Sequence, residues 1–313
     1  MNCLITGGAG FIGSNLAEYL LKKGWRVRIL DNLSTGKLEN LDSMIEQLEF
    51  IEGDIRDESL VEKAIRDCPI IFHQAALPSV PRSIADPAAS HDVNVNGTFK
   101  LLLAAQRAKA RRVILASSSS VYGDSEVLPR REELTPSPLS PYAVTKLAGE
   151  YYARAFSQVY GLETVSLRYF NVFGPRQDPD SPYAAVVPRF IQALLNDQRP
   201  VIYGDGLQSR DFTYVDHVSE INYLAATSNG NFCGEVFNVG CGRRFTLLEL
   251  LEILKVIAGR PAVEPVFEPP QPGDVRHSQA SIDKARKLLG YQPQTDFPEE
   301  LKKTSRWFSS LKN

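Results

Sequence analysis

A chain of 313 residues, 43% hydrophobic and 23% charged, has the composition of a folded globular protein, with room for one large domain or two that share a core. Its formal net charge of −2 gives no reason to expect nucleic acid or an anionic membrane surface as a partner, and no apolar run approaches the ~20 residues of a spanning helix. Strand-like sequence starts at Asn2, and Cys3, Cys68, Cys233, Cys241 and the four histidines are scattered without metal-ligand spacing. The expectation is a reduced cytoplasmic protein without a metal site.

CLIT (3–6) reads as the first strand, and Phe11 to Lys23 as a helix ended by Gly24. Between them TGGAGFIGS (6–14) places Gly7, Gly10 and Gly13 where a tight turn, a close backbone approach to a pyrophosphate and close helix–sheet packing each exclude a side chain. Phe11 and Ile12 lie in the same loop-to-helix corner. VRIL (27–30) is the second strand and ends at Asp31, 18 residues after Gly13. A carboxylate there accepts the hydroxyls of an adenosine ribose and repels a 2′-phosphate, which favours NAD over NADP. LEFI (48–51) follows, with Asp54 and Ile55 just beyond it, placed to meet the adenine.

A helix near 58–67, PIIFH (69–73), a long helix near 92–109, RVILA (112–116), a helix from about Pro141 to Tyr160 and TVSLRY (164–169) continue the alternation. Strands with few polar positions separated by helices predict a doubly wound parallel sheet covered on both faces, a Rossmann-type α/β fold. After Asn171, prolines and glycines cluster around two helices, 183–196 and 246–258, and FNV (237–239) could return to the sheet. The expected partition is a sheet domain over 1–171 with a return segment near 214–239, and a smaller, loop-rich lobe from 172–213 and 240–313.

Tyr142 and Lys146 are one helical turn apart and share a face. A free tyrosine, with a pKa near ~10, is a poor base; a neighbouring ammonium and a bound nicotinamide cation would favour its phenolate. SSSSVYGD (117–124) follows the fifth apolar run directly, so hydroxyls crowd the end of a buried strand on the side where a cofactor would lie.

In combination, TGGAGFIG, DNLSTG, HQAALPSV, SSSSVYGD, PYAVTK and RYFNVFGPR resemble the extended short-chain dehydrogenase/reductase superfamily, NAD-dependent epimerase/dehydratase family, over essentially the whole chain. Within it the sequence is most similar to UDP-hexose 4-epimerases, especially those acting on UDP-N-acetylglucosamine. The resemblance implies bound NAD, a UDP-sugar substrate and a homodimer. It implies catalysis by Ser118, Tyr142 and Lys146, with Tyr142 taking the 4-hydroxyl proton as a 4-keto sugar forms with transient NADH. Related 4,6-dehydratases carry Asp and Glu at the positions of Ser119 and Ser120; two hydroxyls there argue for epimerisation without elimination.

The resemblance also implies that Asn32, Asn94 and the backbone of Gln74, Ala75 and Ala76 line the NAD, with Tyr169 and Phe170 beside the nicotinamide. Asn171, Val187, Arg210, Asp274 and Arg276 fall at uridine or diphosphate positions, and Ser278 faces the C2 substituent of the sugar. Gln271 stands where UDP-galactose epimerases place a phosphate-binding Arg, and Pro78 departs from the small or basic residue of some relatives. The expected reaction is UDP-GlcNAc/UDP-GalNAc and UDP-Glc/UDP-Gal interconversion; a UDP-glucuronate 4-epimerase is the alternative.

Overall fold

The computed structural model describes residues 1–179, 184–270 and 275–311. The apolar runs of the first half form β1 (Asn2–Thr6), β2 (Arg26–Asp31), β3 (Glu49–Glu52), β4 (Ile70–His73), β5 (Arg112–Ser118) and β6 (Glu163–Tyr169). Between them lie α1 (Phe11–Lys22), α2 (Glu58–Ile65), two short helices α3 (Val80–Ala85) and α4 (Pro87–His91), α5 (Thr98–Arg107) and α6 (Pro141–Tyr160). The helix expected over 92–109 opens as a wider π turn, Asp92–Gly97, before α5. The local signals of α6 agree at both ends. Ser140 accepts from the Ala143 N–H, Pro141 starts the helix, and Gly161 ends it in a left-handed conformation.

Beyond β6 the pieces shorten: β7 (Val172–Phe173), α7 (Val186–Leu195), β8 (Val201–Tyr203), β9 (Ser209–Arg210), β10 (Thr213–Tyr214), α8 (Val215–Thr227) and β11 (Cys233–Val239). Then come β12 (Phe245–Thr246), α9 (Leu247–Ile257), β13 (Val266–Glu268), α10 (Asp283–Leu289) and α11 (Phe297–Ser310). β11 returns to pair in parallel with β6 and completes a seven-stranded sheet of order β11-β6-β5-β4-β1-β2-β3. The short strands pair off as β7 with β10, β9 with β12 and β8 with β13.

Side chains alternate along each sheet strand between two cores. Leu4, Leu30, Ile71 and Val113 join Val61, Leu101 and Phe156 under α2, α5 and α6. Ile5, Ile29, Phe72 and Ile114 join Leu16, Val218 and Ile221 under α1 and α8. Both faces are therefore dry, as parallel sheets require. A third core, under α7, α9 and α11, is aromatic: Phe297 stacks on Phe245 at 4.2 Å and on Phe212 at 5.6 Å. β1 sits between β2 and β4, so the chain leaves β1 to one side and returns on the other. The crevice beyond the carboxyl ends at that reversal is where open α/β sheets bind ligands. No helix of the described residues is long and apolar enough to cross a membrane.

Candidate active site

The β1–α1 turn shows why glycine is needed at two positions. Gly7 has φ +70°, and a Cβ there would come 2.6 Å from the Ala75 nitrogen; a Cβ on Gly13 would come 2.1 Å from the Gly7 carbonyl oxygen. Gly10 differs, because its Cβ would meet only the Gly7 oxygen, at 3.3 Å, and the residue lies on the wall of a cavity of about 950 Å³. No side chain caps α1, and no acid lies in its first turn. Its N–H groups and the positive end of its dipole are thus left for an anion.

Asp31 is buried on the same wall; its Oδ2 accepts from the Ala9 N–H (2.9 Å) and its Oδ1 from the Leu33 N–H (2.8 Å). Burial pushes its pKa up, while these two bonds pull it back. Each oxygen keeps a further lone pair for a ribose hydroxyl. Asn32 donates to Asp54 at 2.8 Å, and Arg56 pairs with the same carboxylate and holds its pKa well below the usual range. Asp54 and Ile55 line the cavity beside Asp31. This donor set fits a dinucleotide: amides for a diphosphate, and a fixed carboxylate that accepts from a ribose diol and repels a 2′-phosphate. Purified protein, once denatured, is expected to release NAD⁺ or NADH, detected enzymatically; recovery of mainly NADP would overturn the role given to Asp31.

The reactive end gathers the ends of β5 and β6 and one face of α6. Tyr142 and Lys146 line the cavity with Ala116, Ser117 and Tyr169. The Ser118 hydroxyl is near enough to the Tyr142 phenol to favour its ionised form, and the Tyr142 backbone N–H donates to Ser83 Oγ at 3.0 Å. Lys146 donates to the Ala116 carbonyl at 2.8 Å, with its Nζ 5.8 Å from the Tyr142 ring centre. Burial pushes Tyr142 up to about 12 and Lys146 down to about 8. In the protein alone desolvation dominates; the expected lowering of the phenol belongs to Lys146 together with a bound nicotinamide cation. Ser120 donates to Ser118 Oγ at 2.9 Å, so Ser118, Ser119 and Ser120 form one tight turn, Ser118 capping a short 3-10 helix over Ser119–Tyr122. Ser117 donates to Glu150, which forms a buried bidentate pair with Arg168 (2.9 and 2.7 Å).

Gly7, Gly10, Phe11, Ile12, Gly13, Gln74, Ala75, Ala76 and Tyr169 lie on the cavity wall. Three other candidate residues lie off it. Asn94 is buried off the wall, where its amide brackets the Leu77 backbone (2.7 and 3.1 Å) and donates to Thr145; it holds the wall in place and does not form it. Phe170 is fully buried beneath Tyr122, because the chain turns the side chain after Tyr169 into the core. Val187 is packed in the aromatic core under α7.

On the sugar side, Asn171 donates to the Asp211 carbonyl (3.3 Å) and Arg210 to the carbonyls of Ser209 and Arg276 (3.0 and 3.2 Å). Ser278 is buried with its N–H on the Ser209 carbonyl (3.0 Å). Arg210, Arg276 and Ser278 thus meet on one backbone ladder. Arg276, expected at the diphosphate, is held by Asp205 in an exposed bidentate pair (2.9 and 2.7 Å), which a phosphate would have to displace. Asp274 and Gln271 lie outside the described residues.

Sequence reasoning missed Ser34 to Lys37, Gln177 and Trp307, which also lie on the wall. It also missed His277, which meets Ser209 Oγ through Nδ1 at 2.8 Å. Its pKa is lowered by burial and by the charges of Arg244, Arg276 and Arg210. DNLSTG held the signal for the first group; nothing local marks Trp307, which arrives from the last helix.

The sequence profile of the NAD dependent epimerase/dehydratase family matches residues 3–240. The UDP-glucose 4-epimerase of Mycolicibacterium smegmatis is 41% identical over 312 residues, covering 98% of each chain. Among solved structures, the UDP-N-acetylglucosamine 4-epimerase from Methanobrevibacter ruminantium M1, in complex with UDP-N-acetylmuramic acid, is 43% identical. It superposes with a TM-score of 0.94 over 99% of this chain and 98% of that one. The UDP-glucuronic acid 4-epimerase from Bacillus cereus, in complex with UDP-glucuronic acid and NAD, is 35% identical with a TM-score of 0.93, covering 99% of this chain and 100% of that one.

Proposed function

Because the chain belongs to the NAD dependent epimerase/dehydratase family, we propose that it interconverts UDP-GlcNAc with UDP-GalNAc and UDP-Glc with UDP-Gal. It is an NAD-dependent UDP-sugar 4-epimerase, an isomerase; the choice of sugars is the finer reading. One observation carries it: Tyr142 and Lys146 stand on the wall that begins at the glycine turn, with Ser118 next to the Tyr142 phenol just behind that wall, while positions 119 and 120 are hydroxyls. Hydroxyls at neutral pH do not perform the acid–base work of eliminating water.

When bound, NAD supplies the reversible two-electron acceptor for C4 of the sugar. Tyr142, with Ser118 beside its phenol, takes and returns the proton of the 4-hydroxyl, and Ser118 holds that oxygen. Lys146 holds the nicotinamide ribose and places a positive charge beside the phenol. Asp31 holds the adenosine ribose, and Arg210 with Asn171 anchors the diphosphate while the 4-keto sugar turns over.

Ser278 leaves room for an N-acetyl group and offers it a hydroxyl. Protein mixed with UDP-GlcNAc, without added NAD, is expected to form UDP-GalNAc, with UDP-Glc also converted. Conversion of UDP-glucuronate alone would favour the uronic-acid reading instead. Ser278→Tyr is expected to lower kcat/KM for UDP-GlcNAc selectively, by about 5- to 150-fold, the effect of overpacking a rigid pocket by ~1–3 kcal/mol. Equal loss on both sugars, or none, would remove Ser278 from substrate choice.

A homodimer is part of the same reading. α5 and α6 leave Phe99, Val144, Tyr151, Tyr152 and Tyr160 exposed, with the Phe99 and Tyr152 rings 5.3 Å apart. An aromatic face of this kind fits a second copy. Light scattering is expected to give a mass near twice 34.8 kDa; a monomer would count against it.

A further inference from the structure

Asp211 stands apart from the cavity wall, yet it ties the sugar side together. The residue is fully buried. Its Oδ1 accepts from the Cys241 N–H at 2.8 Å, and its Oδ2 accepts from the Gly242 and Ala280 N–H groups, both at 3.0 Å. Its own carbonyl accepts from Asn171 Nδ2. Gly240 makes the approach possible: a Cβ there would lie 2.9 Å from Asp211 Oδ2 and 2.7 Å from the Ala280 side chain. One carboxylate therefore joins the end of the central sheet at 240–242, the segment around 280 and the segment around 211.

These segments carry the residues assigned to the UDP-sugar. Arg210 precedes Asp211 directly, Ser278 lies two residues before Ala280, and Asn171 is bonded to the Asp211 backbone. Two ladder bonds, Ser209 N–H to Arg276 O (3.1 Å) and Ser278 N–H to Ser209 O (3.0 Å), transmit the alignment. A carboxylate only accepts, so it meets three N–H donors without conflict, and bonds to an anion are stronger than neutral ones. An amide would turn an NH₂ toward at least one of those donors.

We propose that Asp211 is a positioning residue for UDP-sugar binding, fixing the mutual register of Asn171, Arg210 and Ser278 without touching substrate. The inference rests on the UDP-sugar reading above. Burial pushes its carboxyl up to about 7 against the pull of the three N–H bonds, so assays belong at pH 8, where the carboxyl is ionised. The test is Asp211→Asn in the NAD-loaded protein, with UDP itself as the calorimetric probe. Expected are unchanged NAD content, a Kd for UDP and a KM for UDP-sugar raised about tenfold or more, and a smaller change in kcat. A folded variant that binds UDP as tightly as the wild type overturns the proposal. Wild-type protein that fails to bind UDP sinks the underlying reading, and the proposal with it. Where the variant does not fold, amide exchange of wild-type protein decides: UDP should slow Cys241, Gly242 and Ala280 together, and protection confined to one segment overturns the coupling.

Discussion

Tyr142→Phe is expected to lower kcat by about 10²- to 10⁴-fold, the range of a lost general acid–base. NAD content and unfolding midpoint should stay near the wild-type values. The substitution removes one oxygen, the phenol oxygen near Ser118, and leaves the ring and the Tyr142 backbone bond to Ser83 in place. Steady-state kinetics with the NAD content measured on the same sample checks it. Turnover within a few-fold of wild type would take Tyr142 out of the proton path.

Glu150→Leu should carry the largest stability cost. Glu150 and Arg168 are both almost fully buried and joined by two bonds, and the Arg168 guanidinium also lies 4.6 Å over the Tyr122 ring. Removing the carboxylate strands a buried cation, a loss of about 3–5 kcal/mol. The double variant Glu150→Leu/Arg168→Met should recover much of that, because the remaining charge is gone too. Urea unfolding of wild type, single and double variants measures both. A single variant within 1 kcal/mol of wild type, by the same ~3–5 kcal/mol expectation, would show that water reaches the pair. Ser117 donates to Glu150 one residue before Ser118, so the single variant should also lose activity beyond its loss of folded protein.

The sheet was legible from the sequence because its strands are buried on both faces and leave continuous apolar runs; each run from CLIT to TVSLRY became a strand. α6 was legible because Ser140, Pro141 and Gly161 mark its ends. α8 was not, because its polar residues face inward: His217, Ser219 and Asn222 are buried, with Asn222 bonded to the Tyr169 hydroxyl at 2.8 Å. At the site, motif positions gave the neighbourhood without the direction of each side chain. Tyr169 faces the cavity while Phe170 beside it does not, and Asn94 braces a loop from behind. Asp211 was invisible for a different reason: its partners are backbone N–H groups 30, 31 and 69 residues away, and a backbone donor leaves no trace in composition.

The late return of β11 to the sheet has a consequence for how the chain is made. When β6 leaves the ribosome its outer edge has no neighbour, and it waits for β11, which ends about 70 residues later, or some 4–14 s at 5–20 residues per second. Over that interval an apolar strand with a free row of amides is open to pairing with other nascent chains. A chain cut anywhere between Asn171 and Cys233 keeps the whole glycine turn and the Tyr142 helix but never closes that edge, so such fragments should collect in inclusion bodies.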